Sequence, residues 1–270
     1  MPELPEVEAF KSYIELHCLH KTITDIKIPD KSVIKNISAA EFKKFLIGYE
    51  FRSIERLGKY LIINVSDSEK KLVIHFGLTG SLFYTTNKNE LVKYSRVQFI
   101  FKIGVLHWTD MRKFGKLWLV DNLQEIIGLK KLGPDAIAVT KKQFLALLSE
   151  NETKNIKAFL MDQNIIAGIG NEYSDEALFQ AGIDPHHKVN ELSEIRREKL
   201  YNMLHKILLY AIKVQQKNSE SIYFTRKSFP SSYLQAHRHI DMICPKNKNH
   251  KLEKTTIAGR TTYYCPEDQK

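Results

Sequence analysis

A glycine-proline break at residues 132–135 divides this chain into two halves with different hydrophobic periods. Residues 22 to about 120 contain short β-branched or aromatic runs, separated by turn residues. Many short strands at this spacing predict an antiparallel sandwich or barrel. From about residue 140 onward, the apolar residues recur at helical spacing. We therefore predict an α+β multidomain chain in which a β-rich half precedes a helical half.

The individual elements follow from these two patterns. A first helix is predicted from Pro5 onward, because apolar side chains recur every three or four residues as far as Cys18. A second helix, at residues 39–46, interrupts the predicted strands. The other predicted elements are the strands 23–28, 51–57, 60–65, 72–76, 81–84, 97–103 and 105–108, and the helices 142–148, 156–163, 171–181 and 192–216.

Charge and composition limit the classes of function. The 270 residues include 41 lysines and arginines against 31 acidic residues, which gives a formal net charge of +10. So basic a chain favours a polyanionic partner, most often nucleic acid or an anionic membrane surface. No apolar run approaches the roughly 18 residues of a membrane span, and the N-terminus lacks a signal-peptide pattern, so we expect a cytoplasmic protein without a membrane partner. Its three cysteines cannot form a paired disulfide framework, which fits a reducing compartment.

The first eight residues place a prolyl amine beside two carboxylates once the initiator methionine is removed. An α-amino group has a pKa of about 8, so a useful fraction is unprotonated at neutral pH and can attack a carbonyl carbon. The secondary amine of Pro2 can form an iminium with a sugar aldehyde, and Glu3 and Glu6 can carry protons. A structural interpretation stays open, because Pro5 suits the first turn of a helix and glutamates suit its positive end.

Three turns in the β-rich half carry residues suited to chemistry or contacts. Lys59, in a tight turn after Gly58, can reach a phosphate or a sugar oxygen, although a solvated turn lysine is the commoner explanation. An apolar Leu78 lies between glycines in a second loop, where inward folding is the usual outcome. Together with Arg112 and Phe114 of a third loop, it would form a wedge of the kind that fills the gap left by an extruded base.

In the helical half, a Gly-x-Gly turn at residues 168–170 precedes Asn171 at a predicted helix start. Small residues allow a backbone to approach a phosphate closely, and a helix start offers exposed N–H groups. An ordinary helical hairpin explains the same turn equally well. The turn is therefore a candidate phosphate contact. The pattern alone does not distinguish this role from that of an ordinary helical hairpin.

The C-terminal tail contains two Cys-Pro pairs, at Cys244 and Cys265. Each resembles half of a zinc-ribbon knuckle, which requires two Cys-x-x-Cys pairs for four tetrahedral ligands. The matching positions here are Asn247 and Asp268, and His250 and Asp268 are the candidate replacement ligands. Because their spacing is unlike that of a zinc site, we predict a metal-free hairpin in which Cys244 and Cys265 are weak metal candidates.

Taken together, these motifs resemble the formamidopyrimidine-DNA glycosylase and endonuclease VIII family of base-excision repair enzymes. The resemblance covers essentially the whole chain, and the N-terminal start and the central helical run are highly specific in combination. The segments that carry it are residues 2–8, 58–60, 110–115, 160–179 and 259–266.

The resemblance implies a catalytic β-sandwich domain over residues 1–135. A helix-two-turns-helix DNA-binding domain would follow over residues 136–235, and a zinc-finger-like hairpin over residues 236–270. It further implies a bifunctional DNA glycosylase and AP lyase that removes oxidised bases from damaged double-stranded DNA. A Schiff base at Pro2 would then break the strand by β- and δ-elimination. No cofactor is required for these steps, structural zinc is not expected, and we expect the enzyme to be a monomer.

The resemblance also assigns roles by position. Pro2 would be the nucleophile, Glu3 the proton donor and acceptor, and Glu6 a supporting carboxylate. Lys59 would complete the catalytic set near the sugar and phosphate of the lesion. Glu176 matches an acid of the family whose role the sequence does not define. The DNA-binding residues would be Leu78, Arg112 and Phe114 in the wedge, and Lys113, Lys157, Asn171 and Arg260 at phosphates.

Three departures from the family pattern limit what the resemblance implies. Leu78 stands where the formamidopyrimidine branch usually has methionine, and two of the four zinc ligands are missing. Residues 218–227 contain no glycine, whereas that branch carries a glycine-rich loop that closes over oxidised purines, so the preferred lesion is left open. The alternative functions are a lesion-recognising DNA-binding protein without catalysis and, more weakly, a general nucleic-acid-binding module. Neither calls for a prolyl amine.

Overall fold

The computed structural model describes residues 1–217, 230–237 and 241–270. The glycine-free segment at 218–227 therefore lies outside the described residues. A division into three domains with boundaries after residues 135 and 235 stays a prediction. The described residues form two compact units, one with residues 1–131 and 215–217 and the other with residues 132–214, 230–237 and 241–270.

Eight strands in the described part of the first unit form two antiparallel sheets of four strands each. Buried and partly exposed residues alternate along Ser95–Phe101 and at the start of Gly80–Thr85, as expected for strands with one face in a core. The pattern-based prediction missed the last strand. The strands are β1 (Ile23–Lys27), β2 (Phe51–Leu57), β3 (Tyr60–Val65), β4 (Lys71–His75), β5 (Gly80–Thr85), β6 (Ser95–Phe101), β7 (Val105–Asp110) and β8 (Lys116–Val120).

The two sheets pack face to face, which confirms the predicted sandwich. Their strand orders are β1-β6-β7-β5 and β2-β3-β4-β8. Between them, the ring of Phe51 on β2 meets the ring of Phe99 on β6 edge-on, with centroids 5.5 Å apart. Phe101, on the same strand as Phe99, contacts Phe51 in the same way at 6.1 Å.

Helix α1 (Leu4–Cys18) packs on the first unit and carries the N-terminal residues. Its apolar face buries Val7, Phe10 and Ile14, and the Phe10 ring lies 4.3 Å from the ring of Phe76. Burial of each such side chain contributes roughly 1.5–3 kcal/mol. The residues before Leu4 are therefore attached to a firmly packed helix. The other helices of this unit are α2 (Ala39–Leu46) and α3 (Ile127–Lys130).

The second unit is mostly helical, as the change of period predicts. The helices on either side of the Gly-x-Gly turn are α5 and α6, and α6 ends where Gly182 adopts a left-handed conformation with φ 71°. No helix among the described residues is long and apolar enough to cross a membrane. The helices of this unit are α4 (Lys141–Ser149), α5 (Ile156–Met161), α6 (Asn171–Ala181), α7 (Glu194–Lys217) and α8 (Leu234–His237).

A two-stranded hairpin, β9 (Glu253–Ile257) and β10 (Arg260–Tyr264), completes the second unit. Its two-residue turn has positive φ at both Ala258 and Gly259, the conformation that matches the twist of paired strands. The hairpin packs against α6 through a small apolar cluster. The members of this cluster are Phe179, Leu234, Cys244, Leu252, Tyr263 and Cys265.

Candidate active site and DNA interface

Pro2, Glu3 and Glu6 lie together at the start of α1. Glu3 is the residue before the helix, and it forms a reciprocal capping box with Glu6. The backbone N–H of Glu3 donates to Glu6 Oε2 at 2.9 Å, which places a carboxylate at the peptide bond that joins Pro2 to Glu3. Glu3 is buried, whereas Pro2 is half-buried. The structure thus brings a prolyl residue and two oriented acidic side chains together.

Lys59 lies in the turn between β2 and β3, where Gly58 has φ 58°. Only 8% of this residue is exposed, so it is not a solvated turn lysine. Burial, and then the positive charges of Lys59 and Lys116, lower the pKa of His75 to about 4. A neutral imidazole at pH 7 therefore lies near Lys59. Sequence reasoning missed His75, because a histidine at the end of a strand has no pattern of its own.

Asp110, at the end of β7, joins the two loops that carry the predicted wedge. Its Oδ2 accepts the N–H of Gly115 at 2.7 Å, and its Oδ1 accepts the N–H of Arg112 at 3.2 Å. The hydroxyl of Thr79, from the other loop, also donates to Oδ1. Asp110 is fully buried, so it positions both loops from beneath. Its motif appears in the sequence, but this role depends on contacts between distant segments.

The wedge residues occupy neighbouring positions on these loops. A Cβ on Gly77 would lie 2.5 Å from the backbone atoms of Phe114 and Gly115, so the loops approach this closely only because residue 77 is glycine. The next residue, Leu78, keeps part of its surface exposed, and Phe114 is 51% exposed. Arg112 Cζ lies 5.1 Å from the centroid of the Phe114 ring. The three predicted wedge residues are thus carried by two loops in mutual contact.

Lys113, which is predicted to hold a phosphate, forms an ion pair on the protein surface. Its Nζ lies 2.9 Å from Asp30 Oδ2, and its side chain is 53% exposed. The Ser32 hydroxyl, and then Lys113, lower the pKa of Asp30 to about 2. The Lys113 end of this ion pair is therefore exposed, whereas the Asp30 carboxylate is mostly buried, with 14% of its side chain exposed.

Lys157 has no exposed side-chain surface, which disagrees with the prediction that it contacts a phosphate directly. Its Nζ lies 2.6 Å from Asp175 Oδ1, and both side chains are 0% exposed. The ammonium also donates to Thr262 Oγ1 at 2.6 Å, and Asp175 Oδ2 accepts the N–H of Tyr263 at 3.2 Å. In this structure the ion pair fastens β10 to α5 and α6.

The hairpin brings two other predicted phosphate contacts near each other. Asn171 Nδ2 donates to the carbonyl oxygen of Thr261 at 2.9 Å. The residue before Thr261 is Arg260, which is exposed. Asn171 Oδ1 is buried and has no hydrogen-bond partner among the described residues. The start of α6 and the turn of the hairpin therefore form one polar edge of the second unit.

Glu176 lies inside the second unit and anchors α8. Its Oε1 accepts the N–H of Leu234 at 3.2 Å and the side-chain amide of Gln180 at 2.8 Å, while its Oε2 accepts the N–H of Gln235 at 3.0 Å. Burial raises the pKa of Glu176 to about 7. The three hydrogen bonds lower the pKa but do not cancel the effect of burial. The acid whose role the sequence left open is thus a helix anchor that titrates near neutral pH.

This raised pKa predicts a pH dependence of stability. The folded state retains the Glu176 proton up to about pH 7, whereas the unfolded chain loses it near pH 4.5. Between these two values the folded state binds more protons than the unfolded chain. The stabilisation of the folded state that is present below pH 4.5 is therefore lost as the pH rises through 7. The loss is about 3 kcal/mol. Urea unfolding of the wild type and of Glu176→Gln at pH 5, 6, 7 and 8 measures it, because the amide does not titrate. Parallel pH curves for the two proteins would contradict the expectation.

The two cysteines of the tail meet a single carboxylate. The Sγ atoms of Cys244 and Cys265 lie 2.9 Å and 3.2 Å from Asp268 Oδ2, and His250 Nδ1 lies 3.0 Å from the same oxygen. Asn247 donates to the other ring nitrogen of His250 at 3.0 Å. The ligand atoms of Cys244, Cys265 and Asp268 all lie within 4.8 Å of one another, so the cluster could hold a metal ion. Folding thus brings together the four residues that the sequence offers as candidate ligands, although their spacing is unlike that of a zinc site.

Comparison with known proteins identifies the family. The formamidopyrimidine-DNA glycosylase N-terminal domain matches residues 1–117, and the formamidopyrimidine-DNA glycosylase H2TH domain matches residues 132–222. A formamidopyrimidine-DNA glycosylase from Carboxydothermus hydrogenoformans is 33% identical over 100% of both chains. One from Mycoplasma mobile is 32% identical over 100% of this chain and 99% of its own.

Two solved structures show the same architecture. The Lactococcus lactis formamidopyrimidine-DNA glycosylase bound non-covalently to DNA with an AP site has a TM-score of 0.83 and 28% identity over 99% of each chain. A MutM complex with DNA that contains carbocyclic 8-oxo-G has a TM-score of 0.86 and 28% identity over 100% of each chain. Because family models, relatives and structures all match along the chain, this protein belongs to the formamidopyrimidine-DNA glycosylase family.

Proposed function

We propose that this chain is a DNA glycosylase and AP lyase of base-excision repair, in which Pro2 forms a Schiff base with the damaged nucleotide. The observation that carries the proposal is the capping box at the start of α1, which holds Glu6 at the peptide bond next to Pro2. Met1 is 39% exposed, so the residue that precedes the nucleophile is accessible for removal. A protein that only binds lesions needs no amine in this position.

The chemistry follows from these groups. The unprotonated Pro2 amine attacks C1′ of the damaged nucleotide, the N–C1′ bond forms, and the glycosidic bond breaks as the departing base gains a proton. The amine of this adduct loses its proton, and the C1′–O4′ bond of the sugar then breaks as O4′ gains a proton, which leaves an iminium at C1′. The iminium withdraws electrons, so a proton leaves C2′ and the 3′ phosphate is eliminated. A second elimination then releases the 5′ phosphate. Glu3 donates and accepts the protons, Glu6 supports it as a second carboxylate, and the Lys59 ammonium stabilises charge at the sugar and phosphate.

The substrate is damaged double-stranded DNA with an oxidised base. Leu78, Arg112 and Phe114 enter the stack where the base is extruded, and the exposed Phe114 ring supplies the apolar surface that such a wedge requires. Arg112 faces the base opposite the lesion. Lys113 and the polar edge with Asn171 and Arg260 bind phosphates. We further propose that the enzyme acts as a monomer in the cytoplasm.

We also propose that the tail hairpin is stable without zinc. Ligands around a tetrahedral zinc ion lie about 3.5 Å apart, with both thiols deprotonated. In this structure the thiols of Cys244 and Cys265 instead donate to one oxygen of Asp268, which also lies 3.0 Å from His250 Nδ1. A carboxylate acceptor shared by these three groups satisfies them without a cation.

The metal-free hairpin leads to a direct expectation. Protein purified without chelator should contain well under one zinc per chain by mass spectrometry, and a chelator should leave its melting temperature unchanged. Asp268→Ala should lower the melting temperature, because it removes the acceptor shared by Cys244, Cys265 and His250. One zinc per chain whose removal lowers the melting temperature would show that the cluster is a metal site.

Borohydride trapping tests the catalytic proposal. Wild-type protein is incubated with a duplex that carries one abasic site, reduced with borohydride, and resolved on a denaturing gel, and its N-terminus is determined by mass spectrometry. A covalent protein-DNA adduct is expected, because borohydride reduces an imine to a stable amine. No adduct, from protein that binds the duplex and has lost Met1, would favour the lesion-binding protein without catalysis.

A further inference from the structure

Gln215 is a buried polar residue that the mechanism above does not use. It lies near the end of α7, among the residues that group with the first unit, and it is 3% exposed. Its Nε2 donates to Glu6 Oε1 at 3.0 Å. The next residue, Gln216, donates through its own Nε2 to Ser12 Oγ at 3.1 Å. Two consecutive glutamines therefore fix the end of α7 along α1, and the first of them contacts a residue of the candidate catalytic set.

Glu6 is held at both of its carboxylate oxygens by these contacts. Oε2 accepts the N–H of Glu3 and Oε1 accepts the amide of Gln215. An ionised carboxylate only accepts hydrogen bonds, so the side chain of Gln215 must turn its NH₂ group toward Glu6. Hydrogen bonds to a charged acceptor are stronger than those between neutral groups. Rotation of the Glu6 carboxylate would break one of them, so its orientation beside Pro2 depends on Gln215.

Stability of the fold does not account for Gln215. Its Oε1 is buried and has no hydrogen-bond partner among the described residues. A buried polar atom without a partner lowers the stability of a folded protein. A methionine of similar length would fill the same space without this cost. The contact with Glu6 is thus what a glutamine provides at this position.

We propose that Gln215 is a positioning residue for the reaction of Pro2 and that it acts by orienting Glu6. The inference rests on the proposed function of Pro2, since Glu6 matters only as a neighbour of that nucleophile. It assigns a role in the chemistry to the last turn of α7, far along the chain from the catalytic residues of α1.

Gln215→Met tests the inference. The single-turnover rate of adduct formation with an abasic duplex should fall about ten- to a hundredfold, the range set by a hydrogen bond to a charged group. The affinity for the duplex should change by less than about twofold, and the melting temperature should change little, because the variant loses the hydrogen bond to Glu6 but also removes the unpaired Oε1. Gln216→Met is the matched control, since it removes the adjacent exposed amide, and its rate should equal that of wild type.

A double-mutant cycle with Glu6→Ala separates positioning from other effects. If Gln215 acts only through Glu6, adding Gln215→Met to Glu6→Ala should change the rate by less than about twofold. A wild-type rate in Gln215→Met, or an undiminished loss in the Glu6→Ala background, would overturn the inference. Should Gln215→Met fail to fold, Gln215→Glu keeps the side-chain shape and replaces the donor with an acceptor, and its rate should fall at least tenfold. If wild type itself forms no adduct, the proposed function fails instead.

Discussion

Replacement of Pro2 with glycine is expected to lower the rate of borohydride-trapped adduct formation about a hundredfold, as for misplacement of a reacting group. Glycine leaves a primary amine where proline has a secondary one, and it frees a φ angle that the ring restricts to about −65°. The amine then loses its orientation next to the oriented Glu3 and Glu6. Single-turnover trapping on an abasic duplex measures the effect.

Two controls isolate the amine. The affinity of Pro2→Gly for the same duplex should stay within about twofold of wild type, because the proposed wedge and the proposed phosphate contacts lie on other segments. Mass spectrometry must show that both proteins have lost Met1, since an intact methionine would move the terminal amine one residue away. Equal trapping by the two proteins, each with Met1 removed, would contradict the expectation that the reaction depends on the oriented secondary amine of Pro2.

Local patterns were sufficient to predict most elements of the fold. The strands Phe51–Leu57 and Tyr60–Val65 have the predicted bounds, because apolar runs and the Gly58 turn define them within a few residues of chain. Strand Lys116–Val120 was missed, since it is short and is stabilised by pairing with β4, which is distant in the chain. The predicted helix at 156–163 ends at Met161, because Asp162 adopts an extended conformation with ψ 105°.

The candidate site likewise contains some residues that a sequence motif reveals and others that only folding brings together. Pro2, Glu3 and Glu6 are neighbours in the sequence, so their motif is visible there. Gln215 lies 209 residues from Glu6, and only folding brings them together. Likewise, Asp268 is a candidate ligand in the sequence, but only folding brings its carboxylate to the thiol of Cys244. Motifs show which groups a chain carries, but the burial and pairing of a polar group depend on the tertiary structure.

Lys157 is the clearest example of this dependence on tertiary structure, and its replacement is the second change from which we expect a large effect. Lys157→Met is expected to lower the free energy of unfolding by about 3–5 kcal/mol, because it leaves the buried Asp175 carboxylate without its cation. Asp175→Leu should lower the free energy of unfolding by a similar amount, because it removes the carboxylate that pairs with the buried Lys157 ammonium. The double variant should lose less than either single one, since apolar side chains of similar volume often replace a buried pair at little cost. Urea unfolding of all four proteins measures these differences.

Direct phosphate binding by Lys157 predicts the opposite pattern. In that case Lys157→Met would keep wild-type stability and would reduce the salt dependence of DNA binding by about one counterion. Lys142→Met is the matched control, because Lys142 is an exposed lysine of the same unit and its loss changes the net charge equally. We expect Lys142→Met to be as stable as wild type and Lys157→Met to be unstable. The buried pair would then hold β10, and with it Arg260, at the edge of the second unit that we propose to bind phosphates.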